Sequence, residues 1–440
     1  MEVLAGCVEE TANDNSIKGI NLGSIEIDRP ANPEHGDYAT NLPLRLTKEF
    51  KRNPMEIAKE IVSKWPTTEF VANVTVAAPG FINFRIDEEW LRSQIPRIIE
   101  QGSSFGDNTL TTTENVMIEF VSVNPTGPVH VGHARGAVIG SSLANIMESA
   151  GYAVTREYYI NDAGNQMQLF FESVLARYYE LLGHSYPLPD GGYQGDYVRD
   201  VAILVNKEYG DSLIGNDEAI GLISQISTDS MLNAIADDLL ELHVEFDNWF
   251  SEKSLFGNTE YEETINELES KNYLKQMDQA LWFASTILDE EKDNVIVKST
   301  GEPTYFASDI AYHRNKFKTR NFDQVIDIWG ADHQGHISRL KAAMRALDID
   351  DSKLTVLISQ MVTLKKGDEV VRASKRTGDF ITVKELVEEV GSDACRYFFL
   401  TRSASSQMEF DMDLAKKSSN ENPVFYIQYA HARIKNILGL

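Results

Sequence analysis

The stretch 119–133, EFVSVNPTGPVHVGH, joins an apolar run to a helical run through a turn that carries two histidines around a glycine. Residues 116–123 have the apolar character of a short buried strand, and Asn124–Pro128 breaks it. Residues 133–150 predict a helix that Gly151 ends. A strand, a turn and a helix in this order are the repeating unit of a parallel α/β sheet.

The two histidines of this stretch indicate an anion site. His130 and His133 would lie at the N-terminus of the predicted helix, where unpaired N–H groups and the positive end of the helix dipole favour phosphate. Gly132 lets a ligand approach the backbone closely. The turn therefore predicts a nucleotide site. A zinc pair at i, i+3 is the alternative, although no Cys or carboxylate lies nearby in the sequence to complete a metal set.

Strand and helix patterns continue to alternate after this unit. The predicted elements are strand 154–160, helix 162–182 and, further on, strands 294–298, 324–329 and 354–358. A polar, acidic stretch at 186–290 interrupts the alternation and carries helical runs at 217–243 and 260–276. The sequence thus predicts an α/β fold with a Rossmann-like, doubly wound parallel sheet, a helical insertion and a site at the carboxyl ends of the strands.

The first 110 residues follow a different pattern. Helical runs at 54–64 and 88–101 are mixed with strand-like runs at 70–77 and 81–86. They predict a separate α+β domain ahead of the parallel sheet.

Composition narrows the class of protein. The 440 residues are 42% hydrophobic and 25% charged, which suits a large protein with two or three cores. No apolar run approaches the roughly 18 residues of a membrane span, and the N-terminus lacks the pattern of a secretion signal. Cys7 and Cys395 are too few for a disulfide framework or a zinc cluster. These features predict a cytoplasmic protein with no membrane partner.

Net charge limits how the chain can bind nucleic acid. The formal charge of −26 argues against loose, sequence-independent binding, because phosphate repels an acidic surface. Residues 361–440 differ from the rest, with 12 Lys and Arg against 11 Asp and Glu. We expect a nucleic-acid partner to contact this end, and a chance distribution of solvated charge is the alternative.

A second motif makes the histidine turn more specific. It is VRASKRTGDFIT at 371–382, and the pair HVGH and RASKR resembles the HIGH and KMSKS sequences of class I aminoacyl-tRNA synthetases. Other segments resemble arginyl-tRNA synthetases in the expected order: YYINDAGNQM (158–167), GGYQGDYV (191–198), TYFASDIAYH (304–313), IWGADHQGHI (328–337) and SKRTGDFITVKELVEEVG (374–391). The resemblance covers nearly the whole chain. Arg372 and Ala373 depart from the Lys and Met of the second motif, whereas Lys375 is kept.

The resemblance implies a division of the chain into six parts. They are an N-terminal domain that binds the tRNA D-loop (1–110), the first half of the Rossmann catalytic domain (111–185), a helical connective insertion (186–290), the second half of the catalytic domain with its KMSKS-like loop (291–376), a helical region that contacts the tRNA stem (377–420) and the beginning of a helical anticodon-binding domain (421–440). Residues 422–437 resemble only the opening helix of that last domain, so most of it is expected to be missing.

The activity implied by the resemblance is ATP-dependent ligation of L-arginine to tRNA(Arg) through an arginyl-adenylate. Catalysis would come from positioning and electrostatics, without a covalent enzyme intermediate. The expected ATP site comprises His130, Gly132, His133, Asp332, Ser374 and Lys375. Of these, His130, His133 and Lys375 would be catalytic. Mg²⁺ would accompany ATP, held mainly by phosphates and water, and we expect a monomer with no protein-bound zinc.

A pocket for arginine can be argued from charge geometry. A guanidinium presents five donors in a planar fork, so a selective pocket needs two acceptor edges. Glu119 and Asp309 are suitable carboxylates, and the resemblance assigns them this role. Tyr305 shares a helical face with Asp309 at i, i+4 and can cover the guanidinium plane. The expected arginine set is Glu119, Ser122, Asn124, His130, Tyr305, Asp309, His333 and Gln334, with His333 and Gln334 as alternatives for one contact near the α-amino and carboxylate groups.

The resemblance also selects two tRNA-contact candidates in the N-terminal domain. Phe81 and Asn83 place an aromatic ring near an amide, which suits a splayed base that stacks on the ring and is read at its edge. A place in the strand core is the alternative for Phe81.

Three functions stay open on the sequence alone: ligation of arginine to tRNA, another adenylate-forming transfer without tRNA, and a tRNA-binding remnant without activity. The N-terminal domain and the Tyr305/Asp309 pair argue against the second, and the intact motif residues argue against the third. His333 and His336, beside Asp332, keep a zinc site as a further alternative.

Overall fold

The structure is a computed structural model that describes residues 1–17, 25–108, 113–367, 369–371 and 381–439. The chain divides into two units, Met1–Gly106 and Asp107–Leu440.

The first unit is built on a three-stranded antiparallel sheet. Its strands are β1 (Tyr38–Thr40), β2 (Val71–Ala77) and β3 (Phe81–Ile86), in the order β1-β3-β2. Its helices are α1 (Glu2–Asp14), α2 (Leu42–Arg45), α3 (Thr47–Phe50), α4 (Pro54–Ser63) and α5 (Glu88–Gln101). Ile57 and Ile61 share one face of α4 and pack with Ile82 of β3 in a common core.

The second unit contains the parallel sheet that the sequence predicts. Its five strands are β4 (Asn115–Glu119), β5 (Ala153–Ile160), β6 (Asn248–Ser251), β10 (Gln324–Gly330) and β11 (Leu354–Ser359), and all four pairings are parallel. The order is β11-β10-β4-β5-β6. β5 and β6 extend the sheet on one side of β4, and β10 and β11 extend it on the other side. The topological switch point therefore lies between β4 and β10.

Two smaller sheets complete the strands of this unit. One is β7-β8-β9, formed by β7 (Leu274–Met277), β8 (Ala280–Phe283) and β9 (Asn294–Val297). The other is β13-β12-β14, formed by β12 (Val362–Lys366), β13 (Glu369–Val371) and β14 (Met408–Asp411).

The helices of this unit include the crossovers between the parallel strands. They are α6 (Val131–Ser149), α7 (Asn165–Leu181), α8 (Asp196–Tyr209), α9 (Ala219–Leu240), α10 (Lys253–Gly257), α11 (Glu260–Ser270), α12 (Tyr305–Arg314), α13 (Ile337–Ala346), α14 (Val383–Val390), α15 (Ser392–Phe399), α16 (Met412–Lys416) and α17 (Pro423–Leu438). A π-helical turn, Asn315–Thr319, follows α12 directly.

Several elements differ from the sequence prediction. The first parallel strand ends at Glu119 rather than at 123, because Val121 and Ser122 adopt positive φ angles of 71° and 44°. Residues 248–251, inside the stretch expected as a helical insertion, form the edge strand β6 of the main sheet. Residues 274–277 are a strand rather than the end of a helix, and the predicted strand at 294–298 joins β7 and β8 instead of the parallel sheet.

The C-terminal helix α17 is amphipathic but largely exposed. Asn422 caps it by accepting a hydrogen bond from the Val424 amide at 3.0 Å, and Val424 is buried. Further along, Tyr426, Ile427, Tyr429, Ile434, Ile437 and Leu438 are exposed.

Packing of α6 on β4 depends on Gly140. A Cβ atom at this position would lie 2.2 Å from Cγ of Phe120. We expect Gly140→Ala to lower the free energy of unfolding by roughly 1 to 3 kcal/mol, because Phe120 is fully buried and cannot move away without strain. Urea unfolding monitored by circular dichroism measures the change.

Gly136→Ala, in the same helix, is the matched control. A Cβ there would have its nearest neighbours at 4.0 Å, so the better helix propensity of alanine should leave stability equal or slightly higher. Equal midpoints for the two variants would contradict the proposed contact.

Candidate active site

The histidine turn lies at the carboxyl end of β4, where α6 begins. His130 is the N-cap of α6, and its Nδ1 accepts a hydrogen bond from the Gly132 amide at 3.0 Å. The neutral ring then carries its proton on Nε2, an atom that can donate to a phosphate oxygen. The ring centroids of His130 and His133 are 3.8 Å apart. Gly132 is required here, because a Cβ would lie 2.8 Å from Cε1 of His130.

The backbone of this turn pairs with the end of the second motif. The Val383 amide donates to the Val129 carbonyl at 2.8 Å, and the Val131 amide donates to the Ile381 carbonyl at 3.2 Å. Ser374 and Lys375 lie outside the described residues. The described residues that follow them therefore lie against the histidine turn.

Asp238 of α9 forms a hydrogen bond with the backbone of the histidine turn. Its Oδ2 accepts a hydrogen bond from the Val129 amide at 3.3 Å, and the residue is 9% exposed. Burial raises the pKa of Asp238 to about 6, against the opposing effects of the Val129 hydrogen bond and the Lys384 charge.

Glu119, the first predicted arginine ligand, is already part of an ion network. Its Oε2 lies 2.6 Å from Nζ of Lys316, and its Oε1 accepts a hydrogen bond from the Ser122 hydroxyl at 3.0 Å. Lys316 is fully buried and also contacts Oδ1 of Asp327 at 2.9 Å. His313 completes the network, with Nε2 2.8 Å from Oδ2 of Asp327. Glu119 is thus an acceptor whose charge is shared with a lysine.

The pKa shifts in this network follow from burial and pairing. Burial opposes ionisation of Asp327, but the Lys316 charge and the His313 hydrogen bond outweigh it and lower the pKa to about 2. Burial likewise opposes the charge of Lys316, and Asp327 and Glu119 outweigh it and raise its pKa. Burial raises the pKa of Glu119, with Lys316 opposing this effect.

Asp309 and Tyr305, the other predicted guanidinium contacts, lie on α12. Asp309 is half-buried, and burial raises its pKa, while the charges of His313 and Arg339 oppose the shift. Tyr305 is 63% exposed at the start of α12, and its hydroxyl would lie 3.2 Å from a Cβ at Gly164. The Tyr305 ring is thus accessible on the helix that also carries Asp309. The Asp309 carboxylate forms no ion pair in the described part of the chain.

The remaining predicted residues lie at the ends of neighbouring strands. Asp332, His333 and Gln334 are exposed in the 3₁₀ turn that follows β10, and Nε2 of His333 is 3.5 Å from Oδ2 of Asp332. Asn124 donates a side-chain hydrogen bond to Gln166. Ser122 also accepts from the Tyr159 amide at 3.1 Å, which ties its turn to β5.

The two tRNA-contact candidates lie in the first unit, on β3. Asn83 is buried, at 6% exposure, and Phe81 is half-buried. Asn83 is therefore less accessible than the sequence suggested.

Metal-ligand geometry is absent from the described ranges. They contain no group of three or more His, Cys, Asp or Glu side chains arranged to hold a metal ion. The two histidine pairs that raised zinc as an alternative therefore lack a third described ligand.

Sequence reasoning missed Lys316, His313 and Asp327. Lys316 is separated from Glu119 by 197 positions in the chain, and no local pattern links them. The π-helical turn that carries Lys316 is a frequent feature of functional sites, but its sequence, NKFKT, gives no signal of it.

Comparison with known proteins agrees with this geometry. The description "Arginyl tRNA synthetase N terminal domain" matches residues 2–86, and "tRNA synthetases class I (R), catalytic domain" matches residues 94–398. The chain belongs to the arginyl-tRNA synthetase family. The resemblance and the α/β fold predicted from the sequence are confirmed, and ATP is the nucleotide that class I synthetases use.

Individual relatives extend the match over nearly all of the chain. It is 50% identical to an arginine–tRNA ligase of Dehalococcoides mccartyi, over 100% of this chain and 79% of the relative. It is 49% identical to an arginine–tRNA ligase of Carboxydothermus hydrogenoformans, over 94% of this chain and 74% of the relative. The solved arginyl-tRNA synthetase of Thermus thermophilus has the same fold, with a TM-score of 0.72 at 20% identity, over 99% of this chain and 80% of that one.

No helix among the described residues combines the length and the apolar character that crossing a bilayer requires.

The raised pKa of Asp238 gives a pH prediction. Its folded pKa of about 6 exceeds the ordinary value of 3.8, so between these values the folded state binds more protons than the unfolded state and stability falls as pH rises. Asp238→Asn removes this cost but keeps an oxygen for the Val129 amide. We expect its stability relative to wild type to increase by roughly 1 to 3 kcal/mol between about pH 4 and pH 7.

Urea unfolding across this pH range measures the effect. Asp229→Asn, an exposed change on the same helix, is the control and should show little pH dependence relative to wild type. A stability difference for Asp238→Asn that stays constant with pH would contradict the assignment.

Proposed function

We propose that this chain ligates L-arginine to tRNA(Arg) in two steps. The arginine carboxylate attacks the α-phosphate of ATP to form arginyl-adenylate and pyrophosphate, and a ribose hydroxyl at the tRNA 3′ end then attacks the adenylate. The proposal depends on one observation: a helix N-terminus that favours phosphate and carboxylates that favour a cation lie at the same edge of the parallel sheet. The positive end of α6 begins directly after β4, and the carboxylates of Glu119 and Asp309 belong to β4 and the neighbouring α12.

In this proposal the phosphates bind at the start of α6. Amides of the first turn and the imidazoles of His130 and His133 would stabilise the negative charge that develops on the α-phosphate. Gly132 keeps the approach open. Lys375 and Ser374 are assigned to the pyrophosphate by their motif, and the pairing of Val383 with Val129 supports an approach of that motif to the helix start.

Arginine would bind at the part of the site that carries the carboxylates of Glu119 and Asp309. Asp309 is the principal charge partner, because it has no ion pair in the described part of the chain, whereas Lys316 already shares the charge of Glu119. Tyr305 would cover the guanidinium plane. The remaining proposed contacts with arginine are Glu119, Ser122, Asn124, His130 and either His333 or Gln334, and Asp332 is proposed for the adenosine ribose.

Mg²⁺ would accompany ATP and supply positive charge at its phosphates, held mainly by phosphate oxygens and water. We further propose a cytoplasmic monomer without structural zinc.

The tRNA contacts are assigned by domain. We propose that residues 1–110 bind the D-loop, with Phe81 and Asn83 as contact candidates, and that 377–420 contact the tRNA stem. Residues 421–440 would begin the anticodon-binding region.

ATP–pyrophosphate exchange with each amino acid in turn tests the function. We expect exchange with arginine alone, and only when tRNA is present, because the family resemblance implies activation that depends on bound tRNA. Exchange with another amino acid, or arginine-independent exchange, would contradict the proposed substrate.

Asp309→Asn tests the proposed pocket. Loss of a charged acceptor should raise KM for arginine by roughly 10- to 100-fold, with a much smaller effect on KM for ATP. Steady-state aminoacylation measures both values. Asp229→Asn, an exposed change on α9, is the control and should behave as wild type. An unchanged KM for arginine in Asp309→Asn would refute this assignment.

A further inference from the structure

The motif GGYQGDYV at 191–198 has no substrate assigned to it. Its last residues begin α8, and its earlier part is attached to α7. The Tyr193 amide donates to the buried Ser173 hydroxyl at 3.0 Å, and the rings of Tyr193 and Phe170 meet edge to face with their centroids 5.8 Å apart. The motif is therefore anchored to the helix that follows β5 in the chain.

Tyr197 connects this motif to the loop 120–130, which joins β4 to α6. Its hydroxyl donates to the Thr126 carbonyl at 2.9 Å, and Thr126 is buried. The ring also lies against Gly127, because a Cβ there would be 3.0 Å from the Tyr197 hydroxyl oxygen. A Cβ at Gly195 would lie 2.5 Å from Cε1 of the same ring. Glycines of both segments therefore make room for one tyrosine side chain.

The hydrogen bond from Tyr197 has a fixed direction. Burial raises the pKa of Tyr197, and the neighbouring Tyr193 adds to the shift, so the hydroxyl stays protonated. A backbone carbonyl is an acceptor only, and the tyrosine is therefore the donor. Phenylalanine at this position would keep the ring and remove the donor from a buried carbonyl.

Thr126 lies between the two parts of the proposed site. Asn124, a proposed arginine contact, precedes it by two residues, and His130, proposed for the phosphates, follows it by four. A shift of the loop at Thr126 would change the separation between the arginine and the phosphates. The Tyr197 contact is therefore placed where it can affect the alignment of the two substrates.

Other elements hold the same loop on either side of this contact. The Tyr158 hydroxyl of β5 donates to the Val123 carbonyl at 2.8 Å, and Oδ2 of Asp238 of α9 accepts from the Val129 amide at 3.3 Å. Tyr197 bonds to the stretch between these two points. Its contribution is thus the conformation of the middle of the loop rather than the position of the loop's ends.

We propose that Tyr197 is a positioning residue for adenylate formation, which holds the loop 120–130 so that the arginine carboxylate faces the α-phosphate of ATP. The inference rests on the proposed function and adds a residue to it. Tyr197 acts through the backbone of Thr126 and contacts neither substrate. In-line attack depends steeply on the separation of the reacting atoms, whereas the binding of each substrate depends on its own contacts. Loss of the hydroxyl should therefore lower kcat more than it raises either KM.

Tyr197→Phe tests the proposal. ATP–pyrophosphate exchange with arginine, in the presence of tRNA(Arg), measures the activation step without the later transfer to tRNA. We expect kcat to fall roughly 10- to 100-fold, as for a misplacement of about 1 Å, while KM for arginine and KM for ATP stay within about threefold of wild type.

Tyr209→Phe is the matched control. Tyr209 is the last residue of the same helix, and its hydroxyl donates to the Leu222 carbonyl at 3.2 Å. The variant loses the same kind of hydrogen bond at the opposite end of α8, so kcat and both KM values should stay at the wild-type level. Thermal unfolding of both variants measures folding directly.

Replacement of Tyr197 by 4-aminophenylalanine is the rescue variant, because its amino group restores a donor at the same ring position. We expect kcat within about threefold of wild type. This variant also decides the question if Tyr197→Phe fails to fold. A folded 4-aminophenylalanine protein with the low kcat expected for phenylalanine would contradict the role of the donor.

The outcomes separate the inference from the proposed function. Wild-type protein without arginine-dependent exchange would overturn the proposed function itself. Arginine-dependent exchange in the wild type with an unchanged kcat in Tyr197→Phe would overturn the inference alone. A raised KM at constant kcat would assign Tyr197 to substrate binding instead, and an equal loss of kcat in Tyr209→Phe would assign the effect to the packing of α8. Either of these results would also overturn the inference.

Discussion

The arrangement of this site depends on a row of carboxylates across three parallel strands. Asp327 of β10, Glu119 of β4 and Glu157 of β5 are direct neighbours in the sheet register, and each is buried. Like charges at this spacing would repel and lose their hydration on folding. Two cations offset both effects. Lys316 lies between Asp327 and Glu119, and Arg320 binds Glu157 with two parallel hydrogen bonds.

Both cations follow α12 within six residues, so the row also fixes that helix against the sheet. Tyr312 of α12 adds a hydrogen bond to Glu157, and His313 adds one to Asp327. The other end of α12 carries Tyr305 and Asp309. Because β4 leads directly into the histidine turn, one set of buried ion pairs sets the distance between the phosphate-favouring helix start and the carboxylates of α12. Reactions that proceed by positioning need such a fixed separation.

Local sequence patterns were sufficient to predict much of this structure. The apolar run before the histidine turn predicted β4, and the i, i+4 spacing placed Tyr305 and Asp309 on one helix, as observed. The features that the sequence did not predict depend on contacts between distant segments of the chain. Glu119 looked like an open acceptor because its partner, Lys316, is 197 residues away. Residues 248–251 looked like part of an insertion because a four-residue edge strand has too little periodicity to identify without its neighbour β5.

The carboxylates of this site fall into two classes, those that form an ion pair with a cation of the chain and those that do not. Asp327, Glu119 and Glu157 are compensated by cations of the chain, so a ligand gains little from their charge. Asp309 forms no ion pair in the described part of the chain, and burial raises its pKa. A cationic ligand would remove that burial cost, and a neutral one would not. The compensated row therefore provides the rigid frame of this edge of the sheet, while Asp309 keeps a charge that no described cation pairs with.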